Sequence, residues 1–334
     1  AAVQAQAAKL QHISNLYYSP VQVRFADALC RAAGMGRVFL GNSGAEANEC
    51  AIKLIRKYSF DKYGQGRSRI VGLRNSFHGR TVTTLAATGQ DSFHQYFYPF
   101  TEGFLFVQAG NVADLIDTLV ENEGSVCAVM LECIQGEGGV VPLDPAYLQE
   151  VRRLCDERDL LLLIDEVQTG AGRTGKFFAY EHAGITPDVV TMAKGLGGGL
   201  PIGACLCTER LADVMGPGMH GSTFGGNPVV CAGAQVVLDR LAQPSFLQEV
   251  AEKGGYLRSR LAAMPHIAEV RGMGLMQGAV LDKGTAREVA ERCLEGGLLV
   301  LTAKTLLRFL PPLTITREEL DRGLAVLESV LKSL

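Results

Sequence analysis

Six short apolar runs separated by helical patterns constrain this chain more than any other feature. They are RIVGL (69–73), GFLFV (103–107), VCAVMLECI (126–134), LLLLIDEV (160–167), DVVTMA (188–193) and GACLCT (203–208). Strands that read as continuous apolar segments are buried on both faces, and intervening helices supply the cover. Helical patterns near 44–63, 111–122 and 145–158 fill that role. The fold class expected is therefore α/β, a mostly parallel, mixed sheet flanked by helices. In such a sheet, sites gather beyond the carboxyl ends of the strands.

After about residue 230 the character changes. A long helical region (228–263) leads to AEVRGMGLMQGAVL, a helix near 285–296, the run LLRFLPPL and a closing helix from 316. We read residues 1–240 as a large domain, with 1–20 as lead-in helix and loop, and 241–334 as a smaller C-terminal α+β domain. A chain of 334 residues, 47% hydrophobic and 20% charged, can bury cores of that size. The net charge of −3 carries no footprint for nucleic acid, and no apolar stretch reaches membrane-spanning length. Nine cysteines without a CxxC pair, several inside apolar runs, read as buried thiols of a cytoplasmic protein. The opening AAVQAQAAKLQH reads as the middle of a helix, so an upstream segment is expected.

Three motifs carry chemistry. In GNSGAEANECAIKL (41–54), Ser43 and Gly44 precede a helix with Glu46 in its first turn. Free backbone N–H groups and the helix dipole can hold an anion there, although a plain serine cap reads the same way. In LLLLIDEVQTGAGRTG, an apolar strand ends on Asp165 and Glu166, which need a positive partner or a structural salt bridge. In VVTMAKGLGGGLPIG, Lys194 follows an apolar run and precedes four glycines in five residues. A lysine in a dry, glycine-walled pocket loses its proton more easily and attacks carbonyls, whereas a strand-end lysine can simply snorkel. Together, an anion cradle, a buried carboxylate and an amine nucleophile are the fixtures pyridoxal 5'-phosphate (PLP) requires.

With NSGAEANE, SFHGRT, ECIQGEGG, DEVQTGAGRTG, MAKGLGGGLPIGA, GSTFGGNP and LRFLPPL in order along the chain, the sequence resembles the class III aminotransferases of the fold type I PLP enzymes. HISNLYYS adds a similarity to the acetylornithine branch of that family in bacteria. The resemblance implies catalysis by Lys194, which bonds the cofactor aldehyde, and Asp165, which pairs with the pyridine nitrogen. It implies that Val167 and Phe77 pack on the two ring faces, that Gln168 lies near the ring hydroxyl, and that Ser43, Gly44 and Ala45 hold the phosphate. Thr223 is implied to reach the phosphate of a neighbouring subunit, making a homodimer part of the site. Arg308 and Arg80 are implied as carboxylate forks, with Glu137 masking Arg308 until a dicarboxylate arrives. Ser222 and Tyr18 complete the implied substrate residues, and His78 is read as local structure.

The implied reaction is ping-pong: the distal amino group of N-acetylornithine passes through PLP to 2-oxoglutarate, a step of arginine biosynthesis. No metal is implied. The same scaffold serves succinyldiaminopimelate, ornithine and γ-aminobutyrate chemistry, and an inactive, truncated PLP-binding fragment is the alternative from another class. Family members carry a further N-terminal segment beside the substrate entrance. Cys133 stands where many of them have proline.

Overall fold

The structure, a computed structural model, describes residues 1–334. Its helices are α1 Ala2–Ala7, α2 Pro20–Ala33, α3 Gly44–Tyr63, α4 Val82–Ala86, α5 Val112–Glu121, α6 Pro145–Glu157, α7 Pro228–Leu241, α8 Pro244–Ala262, α9 Ala286–Glu295 and α10 Arg317–Lys332. Its strands are β1 Arg37–Gly41, β2 Arg69–Leu73, β3 Phe104–Val107, β4 Val126–Leu131, β5 Ile134–Gln135, β6 Val141–Pro142, β7 Leu161–Asp165, β8 Val189–Met192, β9 Gly203–Cys207, β10 Ile267–Met273, β11 Met276–Leu281, β12 Leu301–Ala303 and β13 Leu306–Phe309.

Seven strands form one sheet in the order β1-β9-β8-β7-β4-β2-β3. Only β9 runs against its neighbours. The reason lies in the connection, because only residues 193–202 separate β8 from β9. A parallel crossover needs a dozen residues or more. The chain therefore turns back within the glycine cluster and leaves Lys194 at the carboxyl end of β8.

Both faces of this sheet are buried, and alternate side chains divide between them. Val129, Leu131, Leu162 and Ile164 pack into one core cluster, while Ala128, Met130, Leu161 and Leu163 pack into another with Ile52 and Ile55 of α3. Asp165 continues the odd-numbered row of β7 and so faces α3. Glu166 faces the other side, where its carboxylate accepts from Thr169 Oγ1 (2.5 Å) and Tyr180 N (3.0 Å).

The second sheet, β10-β11-β13-β12, is antiparallel throughout. It carries Arg308 on β13, opposite Gly278 of β11 and Leu301 of β12.

Several expectations change. The helical region 228–263 is two helices, because Pro244 cannot continue α7 and instead starts α8 at its first position. The opening helix ends at Ala7 rather than reaching His12; it has no side-chain cap and no buried residue to hold it. VCAVMLECI leaves the sheet at Leu131, and Ile134–Gln135 pairs with Val141–Pro142 instead. β1, an edge strand absent from the six runs, has only the short apolar stretch Val38, Phe39 and Leu40, graded from exposed Arg37 to buried Gly41. No helix is long and apolar enough to cross a membrane.

Candidate active site

The carboxyl ends of β1, β2, β4, β7 and β8 converge on a cavity of about 480 Å³, lined among others by Ser43, Gly44, Ala45, Phe77, Asp165, Val167, Gln168 and Lys194. These residues lie far apart in the chain; the strand order brings them together.

At the start of α3, the Ser43 hydroxyl accepts from Glu46 N at 3.2 Å, capping the helix. A Cβ on Gly44 would lie 2.7 Å from Val167 Cγ1, and one on Gly203 would lie 2.0 Å from Ser43 O. The cradle therefore has no room for side chains at either glycine. Behind it, Glu46 accepts from Asn42 N (3.0 Å) and from Asn42 Nδ2, which also donates to Ser222 Oγ at 2.9 Å. Ser222 thus sits at this helix terminus, although it does not line the cavity.

Asp165 is buried, and its carboxylate is met by donors on both oxygens. Its Oδ2 accepts from Asn48 Nδ2 (2.8 Å) and from His78 Nδ1 (2.8 Å), and Oδ1 accepts from Val167 N (3.0 Å). Burial works against the charged imidazolium of His78, but the bond and charge of Asp165, with help from Glu132, raise its pKa overall. Glu132 follows the end of β4, where burial lifts its carboxyl to about 7, partly offset by the His78 charge. Its oxygens accept from Phe77 N (2.9 Å) and Gly136 N (3.3 Å), joining the loop that carries Phe77 to the loop that carries Glu137.

Lys194 occupies the left-handed region at φ +45°, unusual for a side chain with a Cβ. Its side chain reaches solvent through the cavity mouth while protein surrounds it on most sides. That desolvation lowers its pKa, against the pull of Asp165, Glu132 and Glu137 and with the push of Arg308. An amine so placed is a better nucleophile than a free lysine.

Gln168 crosses Gly136, where a Cβ would lie 2.3 Å from its Oε1. Phe77 meets Phe93 edge-on at 5.5 Å. Beyond the cavity, Arg308 Nη1 and Glu137 Oε1 stand 2.7 Å apart, with side chains 9% and 32% accessible. Arg80 is exposed, and its guanidinium lies over the rings of Phe93 (5.1 Å) and Phe77 (5.8 Å). Thr223 lines a separate small cleft with Ser14 and Asn15, and Tyr18 is 90% exposed. Within one chain, neither Thr223 nor Tyr18 joins the cavity around Lys194.

Sequence reasoning missed Asn48 and Glu132 and undervalued His78. For Asn48 a signal existed: a polar residue four positions after Gly44, on the helix face toward the sheet. Nothing local marks His78 or Glu132, since His78 finds Asp165 at the end of β7 and Glu132 is met by backbone N–H groups of two loops, at Phe77 and Gly136.

The arrangement sets an amine of lowered pKa, a buried carboxylate held by three donors and an anion cradle around one cavity. Comparisons agree with that chemistry. A family model for aminotransferase class-III matches residues 1–331. The acetylornithine aminotransferase of Haemophilus ducreyi is 53% identical over 334 residues, which is 100% of this chain and 84% of the relative. That of Caldanaerobacter subterraneus subsp. tengcongensis is 47% identical over 338 residues, covering 100% and 85%. Among solved structures, the N-acetylornithine aminotransferase of Stenotrophomonas maltophilia K279a superposes with TM-score 0.86 at 39% identity, covering 99% of this chain and 85% of that one. The ornithine aminotransferase of Toxoplasma gondii superposes with TM-score 0.93 at 33% identity, covering 99% and 81%. This chain belongs to the class-III aminotransferases.

Proposed function

We propose that this aminotransferase moves the distal amino group of N-acetylornithine to 2-oxoglutarate with PLP, yielding N-acetylglutamate semialdehyde and glutamate. The observation that carries the reading is the meeting of Lys194, Asp165 and the α3 N-terminus in one cavity. It occurs in a chain 53% identical to an enzyme named for that donor.

The residues fit PLP. The N–H groups of the first turn of α3, after Ser43, border the cavity and would donate to a phosphate. The buried Gln168 Oε1 has no partner within the protein, as expected of a group turned toward a cofactor hydroxyl. PLP, once bound, supplies an electron sink for the pair released at the reacting carbon.

The protein's own groups do the rest. Asp165, its carboxylate fixed by His78, Asn48 and Val167 N, would accept a hydrogen bond from the pyridine nitrogen of the cofactor. Val167 and Phe77, which line the cavity, would pack on the two faces of the ring. Lys194 Nζ would hold the cofactor aldehyde and, when free, would serve as the base that moves the proton of the reacting carbon. Arg308 and Arg80 receive substrate carboxylates, Glu137 covers Arg308 when only one carboxylate is present, and Ser222 and Tyr18 would reach the substrate only in the assembled dimer. Thr223, which lines a separate cleft in its own chain, would complete the phosphate site of a second subunit in a homodimer. The exposure of large apolar side chains, among them Leu16, Tyr17, Tyr18, Tyr96, Phe97 and Phe224, supports such an assembly. All nine cysteines are free, which supports a cytoplasmic setting.

The test is the visible absorbance of the PLP-loaded protein before and after N-acetylornithine is added without a keto acid. Bleaching of the cofactor band by this donor, and its loss in Lys194→Ala, is the expected result. Bleaching by ornithine, γ-aminobutyrate or succinyldiaminopimelate alone would transfer the assignment to that donor.

A further inference from the structure

Arg173 is a partly buried cation without a carboxylate partner. It lies in DEVQTGAGRTG, eight residues after Asp165, and lines a second cavity of about 580 Å³ that also touches Lys194 and Gln168. Its Nη1 donates to Leu275 O at 3.0 Å and to Pro311 O at 2.6 Å, and its own carbonyl accepts from Leu275 N at 3.0 Å. Desolvation, with no anion to offset it, lowers its pKa to about 10.

The two carbonyls it grips are not arbitrary. Leu275 immediately precedes β11, and Pro311 follows β13 by two residues. These strands are hydrogen-bonded neighbours, with Gln277 opposite Phe309 and Gly278 opposite Arg308. One guanidinium therefore ties together the strand ends beside Arg308 and anchors both to the loop that leaves Asp165. The backbones meet closely here. A Cβ on Gly274 would lie 2.6 Å from Arg173 O, and one on Gly175 would lie 2.9 Å from Ala251 Cβ of α8.

We propose that Arg173 is a positioning residue that sets where Arg308 stands relative to the cofactor floor, and so governs affinity for the dicarboxylate acceptor rather than turnover. This rests on the reading above in which Arg308 receives an acceptor carboxylate. The clamp itself does not depend on that reading.

The test uses the PLP-loaded enzyme with Arg173→Met, Arg173→Lys and Arg308→Met, singly and with the two methionine changes combined. Steady-state kinetics would vary 2-oxoglutarate at saturating donor, and hydrogen exchange would be followed over 275–281 and 306–312. A displacement of about 1 Å at a positioning contact costs on the order of tenfold to a hundredfold. We expect Arg173→Met to raise KM for 2-oxoglutarate by about that factor while kcat stays within about threefold. Exchange in both segments should accelerate, and Arg173→Lys, which keeps a charged donor, should recover most of the loss. In the Arg308→Met background, Arg173→Met should add less than about twofold, because it acts through Arg308.

Unchanged exchange in Arg173→Met would overturn the clamp. A matched loss in kcat and kcat/KM, or effects that multiply in the double variant, would overturn the link to the acceptor. If Arg308→Met alone leaves KM for 2-oxoglutarate unchanged, the acceptor assignment of Arg308 falls and takes that link with it. The exchange result then still decides the clamp.

Discussion

Replacing Glu137 by glutamine removes a charge from Arg308 while leaving an oxygen that can accept its hydrogen bond. Arg308 is nearly buried, its Nε has no partner within the protein, and its Nη1 stands 2.7 Å from Glu137 Oε1. Stripping one charge from a fully buried pair costs about 3–5 kcal/mol, whereas exposed pairs contribute about 0.2–1 kcal/mol. The Glu137 side chain is 32% accessible, so this pair lies between those limits. With the amide oxygen retained, a cost of about 1–2 kcal/mol follows, equivalent to roughly a 5- to 30-fold change in an equilibrium constant. Two assays read it. Thermal unfolding should shift down by about 2–5 °C. Steady-state kinetics should show KM for 2-oxoglutarate falling, since Glu137 no longer competes with the incoming carboxylate, while donor kcat/KM falls as single-carboxylate substrates lose their advantage. If both constants stay within about twofold of the parent, Glu137 does not gate Arg308 and the switch is wrong.

Two further predictions concern the cofactor floor and pH. Gly44→Ala puts a Cβ 2.7 Å from Val167 Cγ1, and overpacking of this kind costs about 1–3 kcal/mol. A PLP titration followed by absorbance should show affinity weakened by about tenfold or more, and parental affinity would refute the close-approach argument. Burial raises the Glu166 carboxyl from its ordinary 4.5 to about 7. The folded state thus holds that proton longer than the unfolded state. Its stabilising contribution is complete below about pH 4.5, declines as pH rises to about 7 and is flat above, a change of at most about 3 kcal/mol. Glu132 and, above pH 6.5, His78 are also raised and act in the same direction, whereas His182 and His220, both lowered by burial, act in the opposite one. The Glu166 share is therefore the difference between parent and variant: between pH 5 and 7 the melting temperature of the parent should drop relative to that of Glu166→Gln. An identical slope in that variant would exclude Glu166 as a source.

Much of the frame was legible along the chain. A strand buried on both faces has to be apolar throughout, so β4, β7 and β8 announce themselves, and the amphipathic helices between them make parallel crossovers the natural connection. The end of β7 at Asp165 and the glycine cluster after Lys194 were legible for the same reason, since a charge or a run of glycines at the close of an apolar strand interrupts a strong local pattern. The motifs then tied Ser43, Gly44, Lys194 and Asp165 to one chemistry. Local pattern could not supply pairings between distant segments. His78 reads as an ordinary loop residue until β2 and β7 flank β4 in one sheet and bring its ring to Asp165. Glu132 joins two loops only because β4 ends between them. The facing of Asp165 toward α3, and of Glu166 away from it, follows from strand parity combined with which helix covers which face. Arg308 and Glu137 lie 171 residues apart, and Arg173 meets Pro311 across 138. Periodicity within the chain reports which residues are buried; only the order and direction of the strands determine which buried groups become neighbours, and at this site those neighbours are the chemistry.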